Sequence, residues 1–305
     1  MSRFLIVTAD DFGLHASVNE AVERAARAGV LTAASLMVAE PAAADAVRRA
    51  HEMPHLRVGL HVVLADGRAW LPRERIPSLV DANGRFRNRM FIDGVRFFAL
   101  PNVRRQLEAE IRAQFEAFAA TGLRLDHVNT HKHFHLHPTL LRMLLRIGRD
   151  YGLGAPSVHS AGMRLPDEPF WTAPASAMLL SPWLRLMKRR LRAAHVRHND
   201  HIFGVANSGH MSERLLLQIL ARLPAGVTEI YLHPATQSGA AISPSMADYR
   251  HSDELDALMS PQVRAALAAM TAIDVSCGGY SDLADDSRRF KGHHHDQAAV
   301  AADPQ

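Results

Sequence analysis

Short apolar runs alternate with longer segments of helical periodicity along most of the chain. Residues 3–9, RFLIVTA, form an apolar run of strand length. Residues 15–29 then place Val18, Ala21, Val22, Ala25 and Ala26 on one face, the spacing of a helix that Gly29 stops. A strand over 31–38, a helix from Pro41 to about His51 and a strand over 56–64 repeat the unit. Residues 65–100 interrupt it: Gly67, Pro72, Pro77, Gly84 and Gly94 break the periodicity, which predicts a long loop or lid. Beyond lie a helix over 102–121 closed by Gly122, a strand over 123–130, a helix from Pro138 to about Tyr151 and a strand over 155–159. Residues 160–200 are less regular. Strands over 201–206, 228–233 and 271–276, with helices over 212–222 and about 251–269, complete the order. The polar tail, 285–305, predicts disorder.

Repeated βα units of this length imply parallel strands covered by helices. An open doubly wound sheet and a closed β/α barrel both satisfy the pattern. We expect one domain over residues 1–284, carrying the 65–100 loop and a 160–200 insertion.

Composition narrows the class only modestly. The 305 residues are 48% hydrophobic and 22% charged, ordinary for a globular chain able to bury a sizeable core. No apolar run reaches the roughly 18 residues of a membrane span. The first apolar run is too short for a signal peptide, and Cys277 has no partner for an internal disulfide, so the expectation is a cytoplasmic protein. The net charge of +4 is mild, but 19 histidines are many, and several cluster.

Those histidines gather at strand ends. Asp10 and Asp11 follow the first strand, His61 lies near the end of LRVGLH, NTHKHFHLHP follows the strand over 123–130, and His233 ends TEIYLH. In β/α folds the C-terminal edge of the strands is where active sites are built. Imidazole and carboxylate together suit a divalent ion, and three protein ligands with an open position suit a catalytic one. Each piece also has a plainer reading. An Asp pair after a strand fits a turn or helix start. A lone His fits a hydrogen-bonded core residue. In an extended segment His131, His133, His135 and His137 would lie on one side, yet a solvated polar loop would look the same. Two adjacent carboxylates can divide labour only if the backbone turns after Ala9, which the permissive Gly13 makes plausible.

The combination of LIVTADDFGLHASVNEAV, GLHVVL, VNTHKHFHLHP and LHPA resembles the YdjC/ChbG family of carbohydrate deacetylases, over about residues 3–280. The resemblance implies a TIM-like β/α barrel, irregular or with fewer than eight strands, and hydrolysis of an N-acetyl group from an amino sugar. It implies Asp11, His61 and His131 as ligands of a divalent metal, Zn or Mg. Asp10 then becomes the general base, and His233 the general acid or the group that stabilises the tetrahedral intermediate. His133, His135 and Arg250 become substrate contacts or supports, although a surface ion pair explains Arg250 equally well.

Residues 178–198 hold Arg185, Lys188, Arg189, Arg190, Arg192 and Arg197, and no acid occurs from Trp171 to Asn199. Leu184, Met187 and Leu191 recur at helical spacing. Such a segment suits peripheral contact with an anionic membrane through 183–197, or an ordinary surface helix. The chain also resembles the hopanoid-biosynthesis-associated branch of the family, which implies an N-acetylglucosaminyl lipid as substrate. Two alternatives stay open: a phosphoesterase on a similar scaffold, and a non-enzymatic nucleic-acid or membrane-binding protein. The first lacks a glycine-rich phosphate loop beside ADDFG, and the second leaves the strand-end Asp and His residues unexplained. Nucleic acid is therefore not expected as a partner, whereas self-association is left open.

Overall fold

The computed structural model describes residues 3–154, 162–163, 181–237, 239 and 242–283. The strand expected over 155–159, part of the 160–200 insertion, the tail and the GHHH run at 292–295 lie outside them.

Strand β1 (Arg3–Phe12) is the centre of the fold. It pairs in parallel with β2 (Ala33–Leu36) on one side and β8 (Gly226–Leu232) on the other. The path continues through β3 (Arg57–Val62), β4 (His127–Thr130), β5 (Gly162–Met163) and β6 (Arg197–His198) to one end, and through β8 to β7 (His201–Phe203) at the other. Every pairing among these strands is parallel. The two ends, β6 and β7, are separated in the chain only by Asn199 and Asp200. Three Cα steps span at most about 11 Å, so the sheet must curl until its ends are neighbours. The result is the expected β/α barrel, irregular because no helix separates β6 from β7.

A ninth strand, β9 (Val275–Cys277), pairs with Arg3–Leu5 of β1, below the stretch Thr8–Phe12 that pairs with β2. The turn after it closes the barrel floor. Fully buried Tyr280 packs with Ile6, Ala33 and Val227, and its hydroxyl donates to Glu229 Oε2 at 2.6 Å. Arg57 forks onto Asp282 at 2.8 and 2.9 Å.

The strands are buried on both faces, as expected for a parallel sheet under helices. Leu5, Val7 and Ala9 of β1 belong to the larger core beneath the helices, while Ile6 belongs to the smaller cluster inside the barrel. Helix α1 (Ala16–Ala28) buries Val18, Ala21, Val22 and Ala25, and α2 (Ala43–His51) buries Ala43, Ala46 and Ala50.

The 65–100 segment is only partly a loop. It contains helix α3 (Met90–Ala99), which runs into α4 (Pro101–Ala120). Its first part is tied down by buried carboxylates: Glu110 accepts from the backbone N–H groups of Trp70 and Leu71, and Glu40 from that of Arg68. Helix α5 (Pro138–Gly148) follows β4, and α6 (Ser181–Ala193) precedes β6. After α7 (Glu213–Ala221), the single helix expected near 251–269 is two, α8 (His251–Met259) and α9 (Pro261–Thr271). Pro261 cannot continue the first helix, and Ser260 caps the second through the N–H groups of Gln262 and Val263. Helix α6 turns Leu184, Met187 and Leu191 into the core and leaves Arg185, Leu186, Arg189 and Arg192 exposed. Among the described residues no helix is long and apolar enough to cross a membrane.

Candidate active site

The backbone turn required by the Asp pair is present. The β1–β2 register shifts between Ala9 and Phe12, and Asp11 adopts a left-handed conformation with φ 63°. Asp tolerates that region better than most side chains. The bulge breaks strand alternation, so both carboxylates face the same end of the barrel. Asp10 lines the cavity there, and Asp11 meets His61 and His131, which line it too.

Asp11, His61 and His131 form a buried triad whose ligand-type atoms all lie within 4.8 Å of one another. Asp11 Oδ1 is 3.2 Å from His131 Nδ1 and 3.4 Å from His61 Nε2, and the two ring nitrogens are 3.3 Å apart. Neither Asp11 oxygen has a hydrogen bond that satisfies it. A buried carboxylate left this way costs free energy unless something else satisfies it. Two imidazole nitrogens and a carboxylate oxygen at one point are a fitting donor set for a divalent cation.

The electrostatics agree. Burial pushes the Asp11 carboxyl upward, but His131, His61 and His233 more than offset it and hold the group well below the usual carboxylate range. For His61, burial lowers the pKa while Asp10, Asp11 and Asn129 raise it, and the net shift is upward. The triad is thus anionic at Asp11, and the neighbouring carboxylates favour positive charge at His61.

The histidine run does not have the extended form expected from sequence. Residues 131–136 make an irregular 3-10 turn with left-handed backbone at Lys132 and His133, so the imidazoles fan out. His131 enters the triad. His133 lines the cavity, its Nε2 3.1 Å from the Tyr231 hydroxyl. His135 is fully buried beside Thr130 Oγ1, at 2.8 Å from Nδ1, and does not line the cavity. His137 turns away to meet the rings of Phe97 and Phe98. Lys132 reaches back to Asp66 at 2.7 Å, tying the turn to the 65–100 segment.

His233 lines the opposite wall. Its backbone is clamped: its N–H donates to Glu254 Oε2 at 2.5 Å, and its carbonyl accepts from His251 Nδ1 at 2.5 Å. Burial lowers the His233 pKa below the ordinary histidine value, against the pull of Asp11 and Asp10. Burial also pushes Glu254 up to about 8. Arg250 is not brought to the cavity. Its exposed guanidinium pairs with Asp253 at 2.5 Å, and the neighbouring Tyr249 lines the cavity instead.

Three functional candidates escaped the sequence reading. Asn129 accepts from His61 Nδ1 at 2.6 Å and donates to Asp10 Oδ1 at 3.1 Å. Tyr231 and Tyr249 supply aromatic wall, with Val205 and Met246 adding apolar surface, in a cavity of about 160 Å3. Strand alternation offered a signal for two of them, since Asn129 stands two residues before His131 and Tyr231 two before His233. Nothing local marked Tyr249. Its ring sits over Gly209, where an added Cβ would come within 2.3 Å of it.

Comparison with known proteins places these features in company. A protein-family model described as YdjC-like protein matches residues 4–269. A carbohydrate deacetylase of Brevibacillus brevis is 40% identical over 147 residues, 48% of this chain and 56% of that protein. One from Geobacillus stearothermophilus is 40% identical over 162 residues, 53% of this chain and 62% of that protein. The chain thus spans about six-tenths of the length of these relatives. A crystal structure from Enterococcus faecalis V583, described as a candidate cellobiose-phosphate cleavage protein, superposes with a TM-score of 0.73 at 25% identity, covering 93% of this chain and all of that one.

Proposed function

The chain belongs to the YdjC-like family, and from that premise we propose that it is a metal-dependent hydrolase removing the N-acetyl group of an amino sugar. The observation that carries the reading is the convergence of Asp11, His61 and His131 on one buried point beside Asp10 and His233 in one cavity. The relatives named carbohydrate deacetylases support the substrate class. Two nitrogen donors favour zinc or a similar first-row ion over magnesium, which prefers oxygen ligands.

A divalent ion held by the triad polarises a carbonyl group and makes water acidic enough to attack near neutral pH. The chain supplies the remaining parts. Asp10, held by Asn129 at the cavity wall, accepts the proton of the attacking water. His233 faces it from the other side. Burial keeps that imidazole neutral at pH 7, which suits an N–H donated to the developing oxyanion. The proton that Asp10 takes from the water is the one passed on to the departing amine, so His233 keeps its own. Tyr231 and Tyr249 offer flat surfaces to a sugar ring.

A lipid-linked N-acetylglucosaminyl substrate, as in hopanoid biosynthesis, is the finer form of this reading. Ile92, Val95, Phe98 and Leu100 are exposed on and just after α3, and α6 turns basic side chains to solvent. That combination suits peripheral contact with an anionic bilayer.

The test incubates zinc-loaded protein with soluble and lipid-linked N-acetylglucosaminyl compounds and follows loss of one acetyl group by mass spectrometry. We expect deacetylation that a chelator abolishes and zinc restores. No acetyl loss from either class, with zinc verified in the protein, sinks the proposal; loss from the soluble class alone sinks only its lipid form.

A further inference from the structure

A continuous column of buried side chains runs up the barrel interior from the floor to the triad. Asp126 anchors its lower end, accepting from the backbone N–H groups of Tyr280 and Ser281 at 3.1 and 2.8 Å. His127 Nδ1 lies 2.9 Å from Asp126 Oδ2, and His127 Nε2 lies 2.9 Å from Ser35 Oγ. Asn129 Nδ2 lies 3.0 Å from Ser35 Oγ and 3.1 Å from Asp10 Oδ1. Asn129 Oδ1 lies 2.6 Å from His61 Nδ1. Gly59 makes room for the column, since a Cβ there would meet the His127 ring at 2.5 Å.

Donor and acceptor chemistry orders every link. A carboxylate can only accept, so His127 gives its Nδ1 proton to Asp126, and in the neutral ring Nε2 must then accept. Ser35 therefore donates its hydroxyl proton to His127 and is left to accept from Asn129. The amide nitrogen of Asn129 must face Ser35 and Asp10, because turning the carbonyl toward Asp10 would set oxygen against carboxylate. That orientation leaves Asn129 Oδ1 facing His61, and only a protonated Nδ1 can satisfy it. In the neutral ring, Nε2 of His61 then carries the lone pair, and it faces the triad.

We propose that Asn129 is the positioning residue that fixes the His61 tautomer, with the Nδ1 proton turned away from the triad, while its amide nitrogen holds Asp10 beside the ligands. The inference deepens the metal reading, on which it rests. It also separates the two aspartates: His61 Nδ1 is 4.0 Å from Asp10 Oδ1, close enough for the ring to turn its proton onto Asp10 once the amide is gone. Asp10 would then be occupied as an acceptor, and His61 would lose its enforced geometry.

The test uses the full chain with 15N-labelled histidine. In the metal-free protein, long-range 15N–1H spectra, with the His61 signals assigned by their loss in His61→Gln, should show the Nδ1–H tautomer. Asn129→Leu should abolish that pure signature and weaken zinc binding, measured by calorimetry, by about 10- to 100-fold. Asn129→Asp keeps the acceptor toward His61 but removes the donors, so it should retain the tautomer and bind zinc within about threefold of wild type while kcat falls and KM holds. An Nε2–H tautomer in the wild type or in Asn129→Asp overturns the inference, as does an unchanged His61 signal in Asn129→Leu. Wild-type protein with the Nδ1–H tautomer but no zinc affinity overturns the metal reading instead.

Discussion

Asp11 shows how one backbone angle assigns chemistry to a side chain. A regular strand would send Asp10 and Asp11 to opposite faces, one into the barrel and one toward the helices. The left-handed turn at Asp11 brings both to the same end, with Asp11 against two imidazoles and Asp10 on the cavity wall. Metal content should therefore separate them. Asp11→Asn, His61→Ala and His131→Ala should each lower bound zinc at least tenfold by elemental analysis, whereas Asp10→Asn should keep zinc and lose activity by about 100-fold or more. Zinc lost from Asp10→Asn and kept in Asp11→Asn would reverse the two roles. Gly209 is a second case of a single position controlling a functional group. It sits at φ 76° under the Tyr249 ring. Gly209→Ala should displace that ring and cost about 1 kcal/mol of sugar contact, a rise in KM of about fivefold with zinc content unchanged. An unchanged KM would remove Tyr249 from the binding surface.

At the scale of single elements, short strands carry burdens out of proportion to their length. Strand β6 has two residues, yet it buries His198, where desolvation outweighs the pull of Asp200. Burial lowers its pKa from 6.5 to about 4. The native state thus holds neutral imidazole, and the unfolded chain takes up the proton first. The stabilisation is complete above pH 6.5, declines as pH falls from 6.5 to about 4, and is lost below that. Between pH 7.5 and 4.5 this site alone should remove about 2–3 kcal/mol of unfolding free energy. His198→Gln should be less acid-sensitive than the wild type by that amount in urea denaturation at the two pH values. Parallel acid curves would show that His198 is not the source. The turn after β4 makes the complementary point. HKHFHLH reads as an alternating extended run, but left-handed Lys132 and His133 sort the four imidazoles into a member of the triad, a cavity wall, a buried support and a contact with α3. Alternation was a sound guide within β4 and as far as His131 but failed from Lys132 on, where backbone geometry answers to Asp66 and Thr130 rather than to a neighbouring strand.

At the scale of the whole molecule, the barrel works as a tube with a sealed floor and a chemically equipped mouth. Strand β9 and the turn through Tyr280 supply the floor from the far end of the described chain. Glu229, buried within the tube, accepts from Thr8 Oγ1 at 2.7 Å as well as from Tyr280. Tyr280→Phe withdraws one donor from that carboxylate and should cost about 1–3 kcal/mol of stability in chemical denaturation. Tyr280 meets the column through its backbone N–H to Asp126 and through its ring beside His127, and Phe retains both, so zinc affinity should be unchanged. A loss of zinc affinity equal to the loss of stability would mean that floor and mouth are one cooperative unit.

Although periodicity left open whether the sheet closes into a barrel, the alternation of strands and helices, their parallel pairing and the strand-end identities of Asp10, Asp11, His61, His131 and His233 were all legible from sequence. They are written in local periodicity and in residue types that strand ends bring together in any βα fold. What sequence did not reveal depends on contacts between distant segments. These include the burial of His135, the choice of a surface ion pair over a cavity contact for Arg250, helix α3 within a glycine- and proline-rich stretch, and the placing of Tyr249. The role of Asn129 belongs with them. A single amide can order the protons of His61 and Asp10 only because β1, β2, β3 and β4 lie side by side in one register, and that register is a property of the folded sheet.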